Sequence, residues 1–238
     1  PLRGGKSVCG IEPLRRGVGR CQPMCCRQSL RSRQSLRGGR AMTTPEDRER
    51  AQQELLFCEK ILAKGGLNVL LETLADASSV EAWSHYPKGD VFDAGTGAQW
   101  YYHAHVPAFD GVEHGHFHCF VRPDGKDGPV HHLVAVGVDA HGRLHRLFTV
   151  NQWVVGDTWL DAEGTIALLP RFDVQMPKPS YLVNRWLSAV LRRYEDEIAG
   201  LIRERDRVLQ AHEPAGDIEA REDRSLEVTS ALPLQPPV

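Results

Sequence analysis

The sequence predicts an α+β fold, in which an antiparallel β-meander of four to five strands is packed by N-terminal helices and one long C-terminal amphipathic helix. Two observations support this prediction. Apolar residues recur at helical spacing in two outer stretches, and between them the period changes from 3.6 to 2, which is typical of strands. The links between the predicted strands are too short for parallel crossovers, so the strands are expected to be antiparallel.

The first helix is predicted over residues 45–63. Thr44 is its candidate N-cap, Pro45 takes the first helical position, and acidic residues follow in the first turn. The glycine pair at Gly65 and Gly66 supplies a stop signal. A second, short helix is expected over residues 67–75.

Four strands are predicted over residues 99–106, 114–122, 131–139 and 143–152, and a fifth over residues 153–160. Turn clusters, each of which contains glycine, separate the first four of these segments from one another. The long C-terminal helix is expected to begin after Ser180, its candidate N-cap. Its apolar residues form one stripe between positions 187 and 209, with charged residues opposite.

The domain organisation is predicted from charge and periodicity. The formal net charge of −2 combines +9 over residues 1–41 with −11 over residues 42–238. Residues 42–212 are expected to form a single α+β domain, and residues 213–238 a disordered acidic tail. Residues 1–41 are expected to be a disordered basic segment, translated from upstream of Met42 or otherwise non-native. A basic arm for nucleic acid and an organelle transit peptide are the alternatives.

Composition restricts the class of function. No apolar run approaches the roughly 20 residues of a membrane-spanning helix, which predicts a soluble protein with no membrane partner. The acidic domain would repel phosphate, so nucleic acid is not favoured as a partner. A small molecule or a protein is expected instead, and the sequence does not determine which, or the oligomeric state. Six cysteines without a secretory signal fit reduced thiols and a cytoplasmic location.

Histidine is concentrated between positions 103 and 145, where nine of the eleven histidines lie. Alternate residues of a strand share a face, so His103 and His105 point one way and His114, His116 and His118 point together on the next strand. If the hairpin pairs His105 with His114, all five imidazoles line one face of the sheet. A pairing shifted by one residue would separate the two sets.

This pattern predicts a transition-metal site, because imidazole is a common ligand of Zn, Fe, Cu and Ni. The candidate ligands are His103, His105, His114, His116 and His118. Glu113 is the candidate catalytic residue, as a base beside the metal. The predicted function is therefore metal binding and, as one possibility, metal-dependent catalysis. The alternative is a non-catalytic binding or regulatory module that uses the sheet face and the long helix.

The run Gly97-x5-His103-x-His105-x4-Asp110 resembles the first motif of the cupins, whose Gly, two His and Glu precede a metal-binding β-barrel. The resemblance implies that His103 and His105 ligate a metal together. Asp110 stands where the family usually has Glu. The second motif, with a third His, is not present, so His114 or His116 would have to replace that ligand.

Overall fold

A computed structural model describes residues 43–105 and 112–234, which form a six-stranded antiparallel sheet and six α-helices. The predicted α+β class is confirmed, with six strands in place of four or five. The predictions for residues 1–41 and for Asp110 lie outside the described residues. Among the helices that the structure describes, none has the length and apolar character needed to cross a membrane.

The N-terminal helices follow the sequence closely. Helix α1 spans Pro45–Lys64 and helix α2 spans Val69–Thr73. Thr44 caps α1 as expected, since its side chain accepts a hydrogen bond from the backbone N–H of Asp47, whose carboxylate accepts in return from the backbone of Thr44.

The strands of the sheet follow one another in chain order, and each pairs antiparallel with its neighbour. They are β1 Tyr86–Phe92, β2 Ala98–Ala104, β3 Glu113–Val121, β4 His131–Asp139, β5 Leu144–Val150 and β6 Val228–Pro233. The two outermost strands, β1 and β6, were not predicted from the sequence. The described strands make a single sheet, whereas the cupin resemblance implied a β-barrel.

The predicted fifth strand over residues 153–160 is wrong. The chain instead forms a short helix α3, Gln152–Val155, and then helix α4, Ala162–Ile166. Helix α3 begins because the Asn151 side chain accepts a hydrogen bond from the N–H of Gln152, and it ends at Gly156, whose φ of 60° favours glycine.

The prediction of a single long C-terminal helix is also wrong, because two helices occupy this part of the chain. Helix α5 spans Tyr181–Arg193 with Ser180 as its N-cap, and helix α6 spans Glu195–Ala211. The two are separated at Tyr194, whose ψ of 25° departs from helical geometry. Helix α5 packs against α1, and α6 packs against β6.

The predicted disordered tail is wrong for residues 213–234. This stretch contains a 3-10 turn at Ala220–Glu222 and strand β6, which pairs with β5. The Thr149 hydroxyl lies 2.8 Å from the hydroxyl of Thr229 and 2.6 Å from that of Ser230. These buried contacts complete the sheet and extend the fold beyond residue 212.

The two faces of the sheet have different roles. One face carries the main apolar core and packs against the helices: the indole of Trp100 donates to Oδ1 of Asn184, and the Phe117 ring packs against Trp186. Cys119 also lies in this core, on the face opposite His116 and His118. The opposite face carries the histidines, so the candidate metal site lies on a surface separate from the main core.

Candidate metal centre

Of the two registers that the sequence left open, β2 and β3 have the one that places the histidines on a common face. Tyr101 lies opposite His118 and His103 lies opposite His116, and the backbone N–H of His105 donates to the carbonyl of His114. The structure therefore brings four of the five predicted imidazoles together on one face, those of His103, His105, His116 and His118.

His114 does not join this group, because a β-bulge lies between Glu113 and Gly115. Its Nδ1 atom lies 2.7 Å from the hydroxyl of Tyr102, whose ring belongs to the core on the opposite face. A Cβ atom on Gly115 would stand 2.4 Å from that hydroxyl, so only glycine lets Tyr102 approach. The bulge turns Glu113 onto the histidine face in place of His114.

The imidazoles approach one another in two close pairs through their Nε2 atoms. The Nε2 atoms of His103 and His105 are 3.1 Å apart, and those of His116 and His118 are 3.0 Å apart. One ring nitrogen each from His103, His116 and His118 lies within 4.8 Å of the others. Two nitrogens bound to one ion at about 2.0–2.1 Å are separated by about 2.9–3.4 Å, so these pairs already have the spacing of ligands.

Two of the imidazoles, those of His116 and His118, are held in orientation by polar contacts at Nδ1, the ring nitrogen that is not in the close Nε2 pair. The Nδ1–H of His116 donates to Oε1 of Glu113 at 2.9 Å, and Nδ1 of His118 lies 3.1 Å from Nε2 of His132. The backbone N–H of His132 in turn donates to the Asp157 carboxylate. Hydrogen bonds at Nδ1 leave Nε2 as the free ligand atom, which is the usual arrangement behind metal-bound histidines.

Glu113 is held in a fully buried position. Arg146 donates to it twice, from Nε to Oε2 at 2.5 Å and from Nη2 to Oε1 at 3.1 Å. Its carboxylate lies across Gly137 of β4, where a Cβ atom would stand 2.3 Å from Oε2. Both carboxylate oxygens thus accept hydrogen bonds from His116 or Arg146. Glu113 also belongs to a second possible ligand group, with His105 and His116.

Burial favours the neutral form of four histidines, His103, His116, His118 and His132. It lowers the pKa of His103 to about 2 and that of His132 to about 3, with smaller contributions from neighbouring charges. Burial also lowers the pKa of His118 and His116, although Glu113 partly opposes this for His116. Burial alone would raise the pKa of Glu113, but hydrogen bonds from His116 and Arg146 outweigh it and the pKa falls below 4.5. Neutral imidazole is the form that binds metals.

Aromatic rings and an open cleft border the cluster. The Trp83 ring lies 5.7 Å from that of His103 and 5.4 Å from that of His105, and the side chain is 68% exposed. On the other side, Phe148 meets His116 edge to face. A cleft of about 340 Å³ opens there, and its lining comprises His105, His116, Arg146, Phe148 and residues 225–228. The cluster is therefore accessible to a small molecule.

Sequence reasoning found part of this environment. Because His131 and His132 are neighbours on one strand, one of them must face the cluster. The structure assigns this position to His132, while Nδ1 of His131 lies 2.6 Å from the carbonyl of Thr158. The sequence did not predict a role in this site for Arg146 or Gly137. Both lie opposite one another across β4 and β5, and only the strand register reveals that they frame Glu113.

Comparison with known proteins supports a family assignment and no named activity. The model of a family described as Domain of unknown function (DUF6969) matches residues 49–234, which is more than half of the chain. The chain belongs to this family. No curated protein and no solved structure gives a match. The matched range includes the complete histidine cluster, the cleft and all six strands.

Proposed function

We propose that this member of the DUF6969 family binds one transition-metal ion through the Nε2 atoms of His103, His105, His116 and His118, and that the bound ion acts on a small molecule in the adjoining cleft. The observation that supports the proposal most strongly is that the pairing of β2 with β3 brings four imidazole rings together, with one close Nε2 pair between His103 and His105 and another between His116 and His118. Strands hold their side chains more rigidly than loops do, which favours a preformed site.

The residues around the ligands fit a metal site. The Nε2 atoms of each close pair are 3.0–3.1 Å apart, and two unprotonated nitrogens at that distance repel one another unless a proton or a cation lies between them. A bound metal ion would supply that cation. Glu113 and His132 fix the ring orientation from behind. The negative charge of Glu113, next to His116, also makes the site more favourable for a cation.

The donor chemistry restricts the choice of ion. A set of imidazole nitrogens suits Zn, Cu, Ni and Fe, whereas Mg and Ca prefer oxygen ligands. Neither cysteine of the described residues contributes a thiolate, because Cys119 lies in the core on the opposite face of the sheet and Cys58 is buried in α1. We therefore propose a divalent first-row transition metal, with Zn, Fe, Cu and Ni as the candidates.

The cleft supports a catalytic role. A transition metal supplies Lewis-acid chemistry, and here two of its proposed ligands, His105 and His116, also line the cleft. Arg146, Phe148 and the segment 225–228 form the rest of the cleft lining beside them. We propose that Glu113 positions His116 rather than acting as a base, because its two oxygens already accept hydrogen bonds from His116 and Arg146.

The second candidate function is a non-catalytic site, and one observation favours it. Four imidazoles are enough to complete a tetrahedral ion, which would leave no position for a substrate. His105 distinguishes the two cases, because it is the least buried of the four ligands and lies at the cleft. If an incoming ligand can displace His105 from the ion, the site is open to a substrate.

Cobalt substitution tests these alternatives. The protein would be loaded with one equivalent of Co²⁺ and titrated with azide, a small anion that binds open metal positions. We expect the visible spectrum of the cobalt form to change with saturation, because azide reaches the ion through the cleft. A cobalt spectrum that azide leaves unchanged would contradict the catalytic proposal and support the closed site. A visible spectrum identical to that of Co²⁺ in buffer without protein would contradict metal binding itself.

A further inference from the structure

The cleft beside the histidine cluster is lined by a cationic side chain, that of Arg146 on β5. Its Nε and Nη2 atoms donate to the two carboxylate oxygens of Glu113. Its guanidinium lies over the Phe148 ring, with 4.2 Å between Cζ and the ring centroid. These two contacts fix the plane of the guanidinium, so Arg146 offers the cleft a donor group of defined orientation.

One edge of this guanidinium remains available to a ligand. Glu113 takes one hydrogen from Nε and one from Nη2, which leaves one N–H on Nη2 and two on Nη1. Within the described part of the chain Nη1 has no hydrogen-bond partner, and it is not among the buried atoms that lack one. Since the side chain is 18% exposed and lines the cleft, the edge formed by Nη1 and Nη2 can donate two parallel hydrogen bonds to a carboxylate.

The charges around the cleft favour a ligand with a single negative charge. Arg146 and Glu113 neutralise one another, and imidazoles that hold an ion are neutral. A divalent ion would add two positive charges, and Glu227, which also lines the cleft, removes one. A monoanion balances the charge that remains, whereas a second anionic group would be repelled by the Glu227 carboxylate.

The rest of the ligand is expected to be small and apolar. Phe148, Leu226 and Val228 supply the apolar part of the lining. Phe148 and Val228 pack together in an apolar cluster with Ala135, apart from the main core. The cleft volume of about 340 Å³ lies at the lower end of the usual range for small-molecule sites, about 300–1,000 Å³. A short aliphatic or aromatic group fits this space.

We propose that the ligand of this cleft is a small apolar monocarboxylate, and that the Nη1 and Nη2 edge of Arg146 binds its carboxylate group. This assignment of a substrate class rests on the proposed function, although the contact with Arg146 does not itself require a metal. Arg146 then has two partners, Glu113 within the fold and the ligand in the cleft. Because Glu113 also positions His116, one guanidinium connects the ligand to a proposed metal ligand.

Benzoate is the probe, with benzamide as its uncharged analogue and phthalate as the corresponding dianion. Isothermal titration measures the affinity of each for zinc-loaded and for metal-free protein. We expect zinc-loaded protein to bind benzoate about tenfold or more tightly than benzamide, because hydrogen bonds to a charged group are lost in the amide. It should also prefer benzoate to phthalate, because Glu227 repels the second carboxylate. Metal-free protein should keep a weaker preference for benzoate over benzamide, through Arg146.

Three variants identify the residues responsible. Arg146→Lys keeps a positive charge beside Glu113 but has no second edge, so the benzoate affinity at saturating zinc should fall about tenfold or more. Arg143→Lys is the matched control, since Arg143 is exposed, pairs with Asp139 and lies outside the cleft lining; its benzoate affinity should equal that of the wild type. Glu227→Gln should raise the affinity for phthalate by about tenfold, because it removes the repelling charge.

The outcomes separate this inference from the proposed function. Zinc binding with equal affinities for benzoate and benzamide, or with a benzoate affinity that Arg146→Lys leaves unchanged, would overturn the carboxylate site and leave the metal centre intact. Phthalate binding as tight as that of benzoate would overturn the assignment to monoanions. Failure to bind zinc would contradict the proposed function instead. The metal-free titration then decides: a preference for benzoate that Arg146→Lys abolishes supports the carboxylate site, and no preference overturns it.

Discussion

Replacing His116 by alanine is expected to weaken transition-metal binding by about a hundredfold or more. The free energy of a four-ligand zinc site, about 10–16 kcal/mol, is shared among its ligands, so each contributes roughly 3 kcal/mol. His116 is the natural choice because it belongs to both possible ligand groups and contacts His118, His103 and Glu113. Isothermal titration of the untagged protein with Zn²⁺ measures the affinity.

His114→Ala is the matched control, and it separates the bulged structure from a regular strand. His114 lies two positions from His116 and would be a ligand if the strand alternated regularly, but its ring hydrogen-bonds to Tyr102 on the other face. The variant should therefore keep its zinc affinity. If His114→Ala lost metal as His116→Ala does, the bulge between Glu113 and Gly115 would not exist in solution. Circular dichroism confirms that both variants fold.

Glu113→Gln is expected to lower the zinc affinity by about 10- to 100-fold while keeping the shape of the side chain. The amide loses the charge that holds His116 and Arg146, and loss of such a partner behind a ligand typically has this effect. The variant also leaves Arg146 partly buried without its counter-ion. The free energy of unfolding should fall by about 3 kcal/mol, as when one partner of a buried pair is removed. Urea unfolding of the metal-free protein measures this.

Gly137→Ala should lower the zinc affinity as Glu113→Gln does, although it replaces no polar group. The added methyl would stand 2.3 Å from Oε2 of Glu113, so the carboxylate must move and release His116. Gly200→Ala in α6 is the matched control, since its methyl would meet nothing within 4 Å and should stabilise the helix by about 1 kcal/mol. Equal zinc affinity in the two glycine variants would mean that Glu113 does not orient His116.

The sequence could predict most of the site because the strand period is regular there. The spacing predicted that His103 and His105 share a face of one strand and that His116 and His118 share a face of the next. The register that brings the two pairs together was left open by the sequence and comes from the structure. The exchange of His114 for Glu113 could not be predicted in the same way. It depends on a bulge at Gly115, and that bulge depends on how closely the Tyr102 hydroxyl approaches from the core side.

The outer strands were missed for local reasons. Strand β1 contains Pro87, Gly89 and Asp90, residues that usually mark turns, and its pairing with β2 is interrupted between Tyr86 and Val91. Strand β6 follows an acidic, aperiodic stretch and is stabilised by long-range contacts with β5, which a local pattern does not reveal. The two-helix arrangement was missed because the apolar stripe continues through the break at Tyr194.

The division of the sheet into two faces explains why the site and the fold can be tested separately. The main core joins one face to the helices through residues such as Trp100 and Phe117. The histidines lie on the other face, so changes among them should affect metal binding more than folding. Glu113 is the exception, because it combines a buried ion pair with a contact to His116.

X-ray absorption at the metal edge, measured on untagged protein with one equivalent of Zn²⁺, tests the central claim most directly. We expect one tightly bound Zn²⁺ ion per chain, with three or four imidazole nitrogens at about 2.0–2.1 Å from it. Because His116 is shared by both ligand groups, the His116→Ala protein should lose this signal. A zinc spectrum dominated by water oxygens, or one that is identical in the wild-type and His116→Ala proteins, would contradict the proposal that these histidines form a metal centre.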